Sequence, residues 1–296
     1  MSLKDLLFSS DERHKLAFPA IILFSIVILI ALALIAFNGF SQSDTLKDAI
    51  KSSKIMGKIG LVKQNKIAVI YIDGTMVSDK SSSGGAACYS SDVVRNLIKA
   101  SEDPEVKAIV LRVNSPGGTP VAAEEIIFQM QKTKKKKPIV VSMGDIATSA
   151  AYYVSSQADK IVANPDTFTG SIGVIWVFKN KTKYYDEEGI NFYIAKSGDY
   201  KDVGSDWRGL SEEEKNYVQD IIDESYERFV CNVAYGRNLS VDDIKAIADG
   251  RVITGSKAKK VGLVDEIGGL YDAVYLAKEL AKVDGKITVL FMNEPD

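Results

Sequence analysis

Residues 17–37, "AFPAIILFSIVILIALALIAF", form an apolar run without a single charge. At ~1.5 Å per helical residue it is long enough to cross a ~30 Å hydrocarbon core. Its flanks do not suit a cleaved leader. "SSDERHK" before it is mixed in charge, and "NGFSQSD" after it has no small-residue cleavage pattern. The pattern predicts a retained transmembrane anchor behind a short N-terminal segment, residues 1–16. Residues 38–65 are polar and lysine-dotted. They read as a stalk, partly helical around "SDTLKDAIKSSKIM". Lysines follow the anchor, but a long domain translocates largely regardless of charge, so charge alone leaves the topology open.

From residue 66 the pattern changes. "KIAVIYIDG" (66–74), "VKAIVLRVN" (106–114), "KPIVVSMG" (137–144) and "DKIVANP" (159–165) are short β-branched runs that stop at turn residues. Between them lie stretches with helical spacing. These are "SDVVRNLIKASED" (91–103), capped by Ser91 or Asp92, "TPVAAEEIIFQMQK" (119–132), with proline near its start, and the segment around Ser149. Apolar strands alternating with helices call for a parallel sheet covered on both faces. The longest predicted helix, 211–237, opens with a capping-box pair, Ser211 and Glu214. Val218, Ile221, Ile222, Ser225, Phe229 and Val233 mark one of its faces. A further capped helix is predicted over 240–251, closing at Gly250. One α/β domain over residues 66–285, with a tail at 286–296, accounts for the pattern.

Composition narrows the function classes. The formal net charge of −2 over 296 residues gives no reason to expect a nucleic-acid binder. "KTKKKK" (132–137) reads as a solvated helix end whose cations suit the dipole. Cys88 and Cys231 are too few for a disulfide scaffold and lack metal-ligand spacing. The one histidine, His14, precedes the apolar run, so the folded domain cannot hold a Ser-His-Asp triad.

Three turns carry candidate chemistry. In "GDIATSAAYY" (144–153) Ser149 follows a strand and precedes a helix, where active sites of open α/β sheets collect and an oxyanion meets positive partial charge. Alone, that stretch reads equally as small residues chosen for close packing. In "RVNSPGGTPVAAEE" (112–125) Gly117 or Gly118 can bring a backbone N–H close to a ligand, or simply make a tight turn. "TFTGSIGVIW" (167–176) is a hydroxyl-rich turn containing Ser171. Without histidine, a serine nucleophile needs another base. A lysine serves if its amine is brought from ~10.4 toward neutrality. Spacing does not choose among the lysines; "SGDYKDVGSDW" (197–207) offers Lys201 in a loop.

Together "NSPGG", "MGDIATSAAYY", "TGSIGV", "GDYKD", "ADGRVITGSKAKKVGLVDEIGG" and the N-terminal anchor resemble the signal peptide peptidase A family, membrane serine–lysine peptidases. The resemblance spans about 66–280. It implies the Clp protease/crotonase-like fold, a repeated β-β-α superhelix around a parallel sheet, plus one transmembrane helix. It further implies Ser149 as nucleophile, Lys201 as general base and Ser171 as the hydroxyl that orients the lysine. The oxyanion hole would come from the amides of Gly118 and Ser149, with Gly117 the lesser alternative. No metal or other cofactor is implied. The implied partners are remnant signal peptides as substrates, the bilayer through residues 17–37, and further copies of the chain in a ring whose neighbours share each active site. The implied location is the extracytoplasmic side of the cell membrane. The chain departs from the family in one place, having "SAAYY" where "SGGYY" is usual. A catalytically silent membrane scaffold of the same fold, or a crotonase-type acyl-CoA enzyme, are the competing readings.

Overall fold

The computed structural model describes residues 64–79 and 87–294. The predicted N-terminal segment, anchor and nearly all of the stalk lie outside these residues. Among the described residues no helix is long and apolar enough to cross a membrane.

The apolar runs form the spine of an eight-stranded sheet. β1 (Lys66–Asp73), β4 (Val106–Ser115), β5 (Ile139–Thr148) and β6 (Lys160–Ala163) pair in parallel, in that order. β10 (Thr288–Phe291) adds to the β1 edge and β9 (Glu266–Ile267) to the β6 edge. Val106, Ala108, Ile109, Val110, Leu111 and Val113 of β4 are all buried, because helices cover both faces. α1 (Ser90–Glu102), α2 (Pro120–Lys134) and α3 (Ala150–Ser155) share one core with Ile70, Leu111 and Val141. On the other face, Ala273, Val274 and Ala277 of α8 (Leu270–Leu280) pack with Ile67, Val69 and Val110. Two short strands, β2 (Thr75–Val77) and β3 (Ala87–Tyr89), pair separately from this sheet.

The sheet departs from the all-parallel expectation at one corner. β5 pairs with β6 through Val140–Ser142, then with β7 (Phe168–Gly170) through Ile146–Thr148, and β7 pairs antiparallel with β8 (Val252–Thr254). β5 also outruns its predicted end at Gly144. A Cβ there would lie 2.9 Å from Asn114 Oδ1, so the glycine lets the strand pass closely and continue. The predicted helix around Ser149 therefore begins only at Ala150.

Two helix expectations also shift. α1 starts at Ser90 with Tyr89 as N-cap and no side-chain cap, because tyrosine lacks a short side-chain acceptor; Ser91 and Asp92 lie inside the helix. The helix expected over 240–251 stops as α6 (Val241–Lys245). Tertiary bonds claim the rest: Tyr226 Oη donates to the Ala248 carbonyl and the Gly250 amide to the Ile172 carbonyl. A short α7 (Gly255–Lys260) follows β8. α5 (Glu212–Arg237) carries the predicted capping box, with Val218, Phe229 and Val233 buried and Ile221, Ile222 and Ser225 half-buried.

Between β7 and α5 the chain holds only α4 (Thr182–Glu187) and one 3-10 turn (Asp199–Asp202), and from Gly173 to Glu213 no residue is buried. Ile175 is 83 % exposed, Val177 69 % and Tyr193 95 %. The arm's larger apolar side chains are thus left mostly to solvent, while residues 202–208 are half-buried near the start of α5.

Candidate active site

Ser149 stands at the junction of β5 and α3 with φ 55° and ψ −126°. Such a backbone costs a serine about 1–3 kcal/mol and persists only where its surroundings over-determine it. Here they do. The Ser149 amide donates to the Gly170 carbonyl at 2.9 Å, its carbonyl accepts from the Tyr153 amide at 2.9 Å, and the adjoining α3 is buried throughout. A sharp strand-to-helix turn of this kind projects a serine hydroxyl from the end of a sheet. The Ser149 hydroxyl has no hydrogen-bond partner among the described residues and faces a cavity.

The neighbouring turn explains its two glycines. At Gly117 (φ 108°) a Cβ would lie 2.8 Å from Ser149 Cβ and 3.0 Å from the Ala150 nitrogen. Only a bare backbone fits against the serine. Gly118 (φ 157°) crosses Met76 so closely that a Cβ would lie 2.0 Å from the Met76 carbonyl oxygen. Met76 donates to the Gly117 carbonyl and accepts from the Thr119 amide, a parallel bridge opposite Gly118. In such a bridge the middle residue's own N–H points away from the paired strand. Gly118 lines the same cavity as Ser149.

The amides sort differently from the sequence expectation. Ser149 N–H, expected as an oxyanion donor, is committed to Gly170. Gly117 N–H is taken by Ser115 Oγ at 3.1 Å. Ala150 is the first residue of α3, and a helix's first N–H groups have no intrahelical acceptor. Among the described residues the amides of Gly118 and Ala150 have no acceptor, and both residues line the cavity beside Ser149. Sequence reasoning passed over Ala150 because the tight turn at Ser149 was not legible in a run of small residues.

Ser171 follows β7 with φ 50°, and its amide donates to the Arg251 carbonyl at 2.9 Å. Ser171 and Ser149 line one depression together with Gly173, Ile222, Tyr226 and Asp249. Adjoining it, the cavity beside Ser149, about 120 Å³, is walled by Tyr153, Val174, Ile175 and Phe229, with Glu124 and Arg228 as its charged lining. At ~30 Å³ per water-sized share this is room for one mid-sized side chain. Tyr153 Oη donates to Glu124 at 2.6 Å and also meets Asn232; burial first, and that carboxylate second, push its phenol well above the ordinary range.

Lys201 is not brought to this site within one chain. It sits exposed on the 3-10 turn Asp199–Asp202, lines neither hollow, and forms no ion pair among the described residues. Neither hollow contains a lysine or a histidine; their ionisable lining is Glu124 and Arg228 in one and Asp223 and Asp249 in the other. No cluster of acidic, histidine or cysteine side chains able to hold a metal occurs among the described residues. Cys88 is buried, Cys231 exposed, and both are free thiols.

Comparison with known proteins meets this geometry from another side. The sequence matches peptidase family S49 over residues 131–284 and the Clp protease family over residues 83–167. A Synechocystis protein provisionally named a protease is 40% identical over 201 residues, covering 68% of this chain and 73% of its own length. Protease 4 of Haemophilus influenzae is 38% identical over 73% of this chain, which spans 35% of that protein. The chloroplastic serine protease SPPA of Arabidopsis thaliana is 31% identical over 78% of this chain, again spanning 35% of its own length. An alanine mutant of the 1510-N membrane-bound stomatin-specific protease has a similar fold, with TM-score 0.52 and 15% identity, covering 79% of this chain and all of its own. With a Clp-protease-like α/β domain presenting a strained serine at the end of its sheet, this chain belongs to peptidase family S49 and is a serine protease.

Proposed function

We propose that the protein is a membrane-anchored endopeptidase in which Ser149 attacks the peptide carbonyl and Lys201 of a neighbouring copy acts as general base. The observation that carries this reading is the Ser149 backbone, held at positive φ beside the Gly118 amide and above a side-chain-sized cavity. A neutral Lys201 amine takes the Ser149 proton, and Oγ bonds to the carbonyl carbon. The oxyanion is held by the N–H groups of Gly118 and Ala150. Lysine then protonates the departing amine, and water attacks the acyl-enzyme with the same amine as base. Ser171, which lines a depression together with Ser149, is suited to orient the incoming amine.

Delivery of the lysine by a second copy is supported by what one chain lacks. The hollows at Ser149 contain no lysine or histidine, while Lys201 rides on an arm with Ile175, Val177 and Tyr193 largely exposed. Exposed apolar surface on this scale marks an interface. The reading continues with a ring of copies anchored through residues 17–37, an extracytoplasmic catalytic domain, and remnant signal peptides as substrates. The cavity walls of Val174, Ile175 and Phe229 suit the apolar side chains of such segments. No metal or cofactor has a part in it.

Labelling with a fluorophosphonate probe tests the nucleophile. The full-length protein should be labelled and cleave an apolar peptide, whereas Ser149→Ala should do neither. Labelling that survives the substitution would move the nucleophile elsewhere.

A further inference from the structure

The 3-10 turn that carries Lys201 has no buried residue of its own, yet both neighbours of the lysine are tied to the start of α5. Tyr200 Oη donates to Glu213 at 2.7 Å, and its ring lies 5.0 Å from that of Tyr217. On the other side, Arg208 forks across two carboxylates. Its Nε and Nη2 donate to Asp202 at 2.9 and 2.8 Å, and its Nη1 donates to Glu214 at 2.7 Å and its Nη2 at 2.5 Å. Lys196 adds a bond to Asp202 at 2.8 Å and another to the Asp199 carbonyl at 2.8 Å. The Asp202 and Glu214 side chains are only 11% and 8% exposed, unusual burial for carboxylates where the open arm meets α5.

Taking Lys201 as the base proposed above, we infer that Arg208 is its positioning residue, clamping Asp202 and Glu214 together so that the turn presents the lysine with its adjoining carboxylate already paired. Two physical effects follow from one side chain. The bidentate fork fixes orientation in a way a point charge cannot. It also occupies Asp202, the acid next to the lysine in the chain, which when released is placed to pair with the amine and hold it protonated. Arg208 keeps Glu214 down at about 2, with help from the Ser211 amide, and Arg208 followed by Lys196 holds Asp202 below the usual carboxylate range. Both carboxylates are thus charged and fully engaged at neutral pH. Glu214 also closes the capping box of α5, so the clamp is anchored on a helix terminus rather than on another loop. The sequence hides this device, since Lys201 and Arg208 look like ordinary surface charges.

The ionisable groups around the turn are Lys196, Asp199, Asp202 and Arg208 on its own segment, and Glu213, Glu214 and Tyr217 at the start of α5. The hollows at Ser149 add Glu124, Arg228, Asp223 and Asp249, which the substitutions below leave in place. The test uses full-length, assembled protein and a fluorogenic apolar peptide. Arg208→Ala should lower kcat about tenfold or more, the scale of a displaced catalytic group. KM should stay within about twofold, because no ground-state contact is lost. The acid limb of the pH–rate profile should move to higher pH, since a released Asp202 stabilises the protonated amine. Adding Asp202→Asn should bring the limb back, which mere loosening of the loop would not do. Arg208→Lys should rescue only in part. If Arg208→Ala does not assemble, Asp202→Asn alone replaces it and should lower kcat with KM unchanged. Unaltered kcat and limb in these variants, with Lys201→Ala inert, would overturn the clamp. An active Lys201→Ala would instead overturn the base assignment.

Discussion

Mixing two inactive chains tests the shared site most directly. Ser149→Ala retains Lys201 on its arm, and Lys201→Ala retains the serine and its amide donors. If each site takes its serine from one copy and its lysine from the next, equimolar mixing gives independent draws at each junction. The serine position holds a competent chain half of the time, and so does the adjoining lysine position. In a ring of heterologous contacts about a quarter of the junctions are therefore complete. Mixed assemblies should show roughly that fraction of wild-type turnover per site. Homomeric assemblies of either variant should fall to the residual rate that binding and oxyanion donors supply, about 10³–10⁴ over water in related sites. The structural basis is that Lys201 lies outside both hollows at Ser149, on an arm with Ile175, Val177 and Tyr193 largely exposed. The two variants would carry different affinity tags, be co-expressed, and be purified in tandem so that every assembly contains both. Tandem-purified assemblies as silent as the parents would refute a site shared between copies.

Other expectations follow from packing. Gly117→Ala should impair both turnover and stability, because the new Cβ meets Ser149 Cβ at 2.8 Å and an alanine is strained at φ 108°; a lowered melting temperature with weak probe labelling is the expected pair of results. Tyr152 is fully buried, with Oη donating to the Leu263 carbonyl at 2.9 Å. Tyr152→Phe leaves that carbonyl unpaired and should cost about 1–3 kcal/mol, read from the urea midpoint. Burial pushes the Asp265 carboxyl up, but Arg237 at 2.9 Å, the Ile161 amide at 2.8 Å and Lys160 outweigh it, so it titrates below the ordinary range. Its folded-state pKa lies below its unfolded one, so its contribution is complete above the unfolded value and lost as pH falls through the folded one. Asp265→Asn should flatten the fall of the urea midpoint on acidification below about pH 4. An equally steep fall in the variant would show that other carboxylates carry it.

Much of the framework was legible in the order of residues. β1, β4, β5 and β6 are apolar on consecutive positions because both faces are covered, and that signature is local. The Ser211–Glu214 capping box is equally local, since its partners lie one helical turn apart. The absence of histidine from residues 66–285 excluded the commonest base by composition alone. Motif order over most of the chain pointed to the family.

Tertiary structure decided what depends on partners distant in sequence. Ser149 adopts φ 55° because Gly170 and Gly117, from two other strand ends, enclose it; the same contact withdraws its amide and leaves that of Ala150. The antiparallel β7–β8 corner and the short α6 likewise arise from hydrogen bonds made across the fold. Periodicity reports which side of an element is buried, an average over a few neighbouring residues. Which amide is free, and which carboxylate Arg208 has claimed, depends on single atoms from distant segments meeting within hydrogen-bond range, and only the folded chain specifies that.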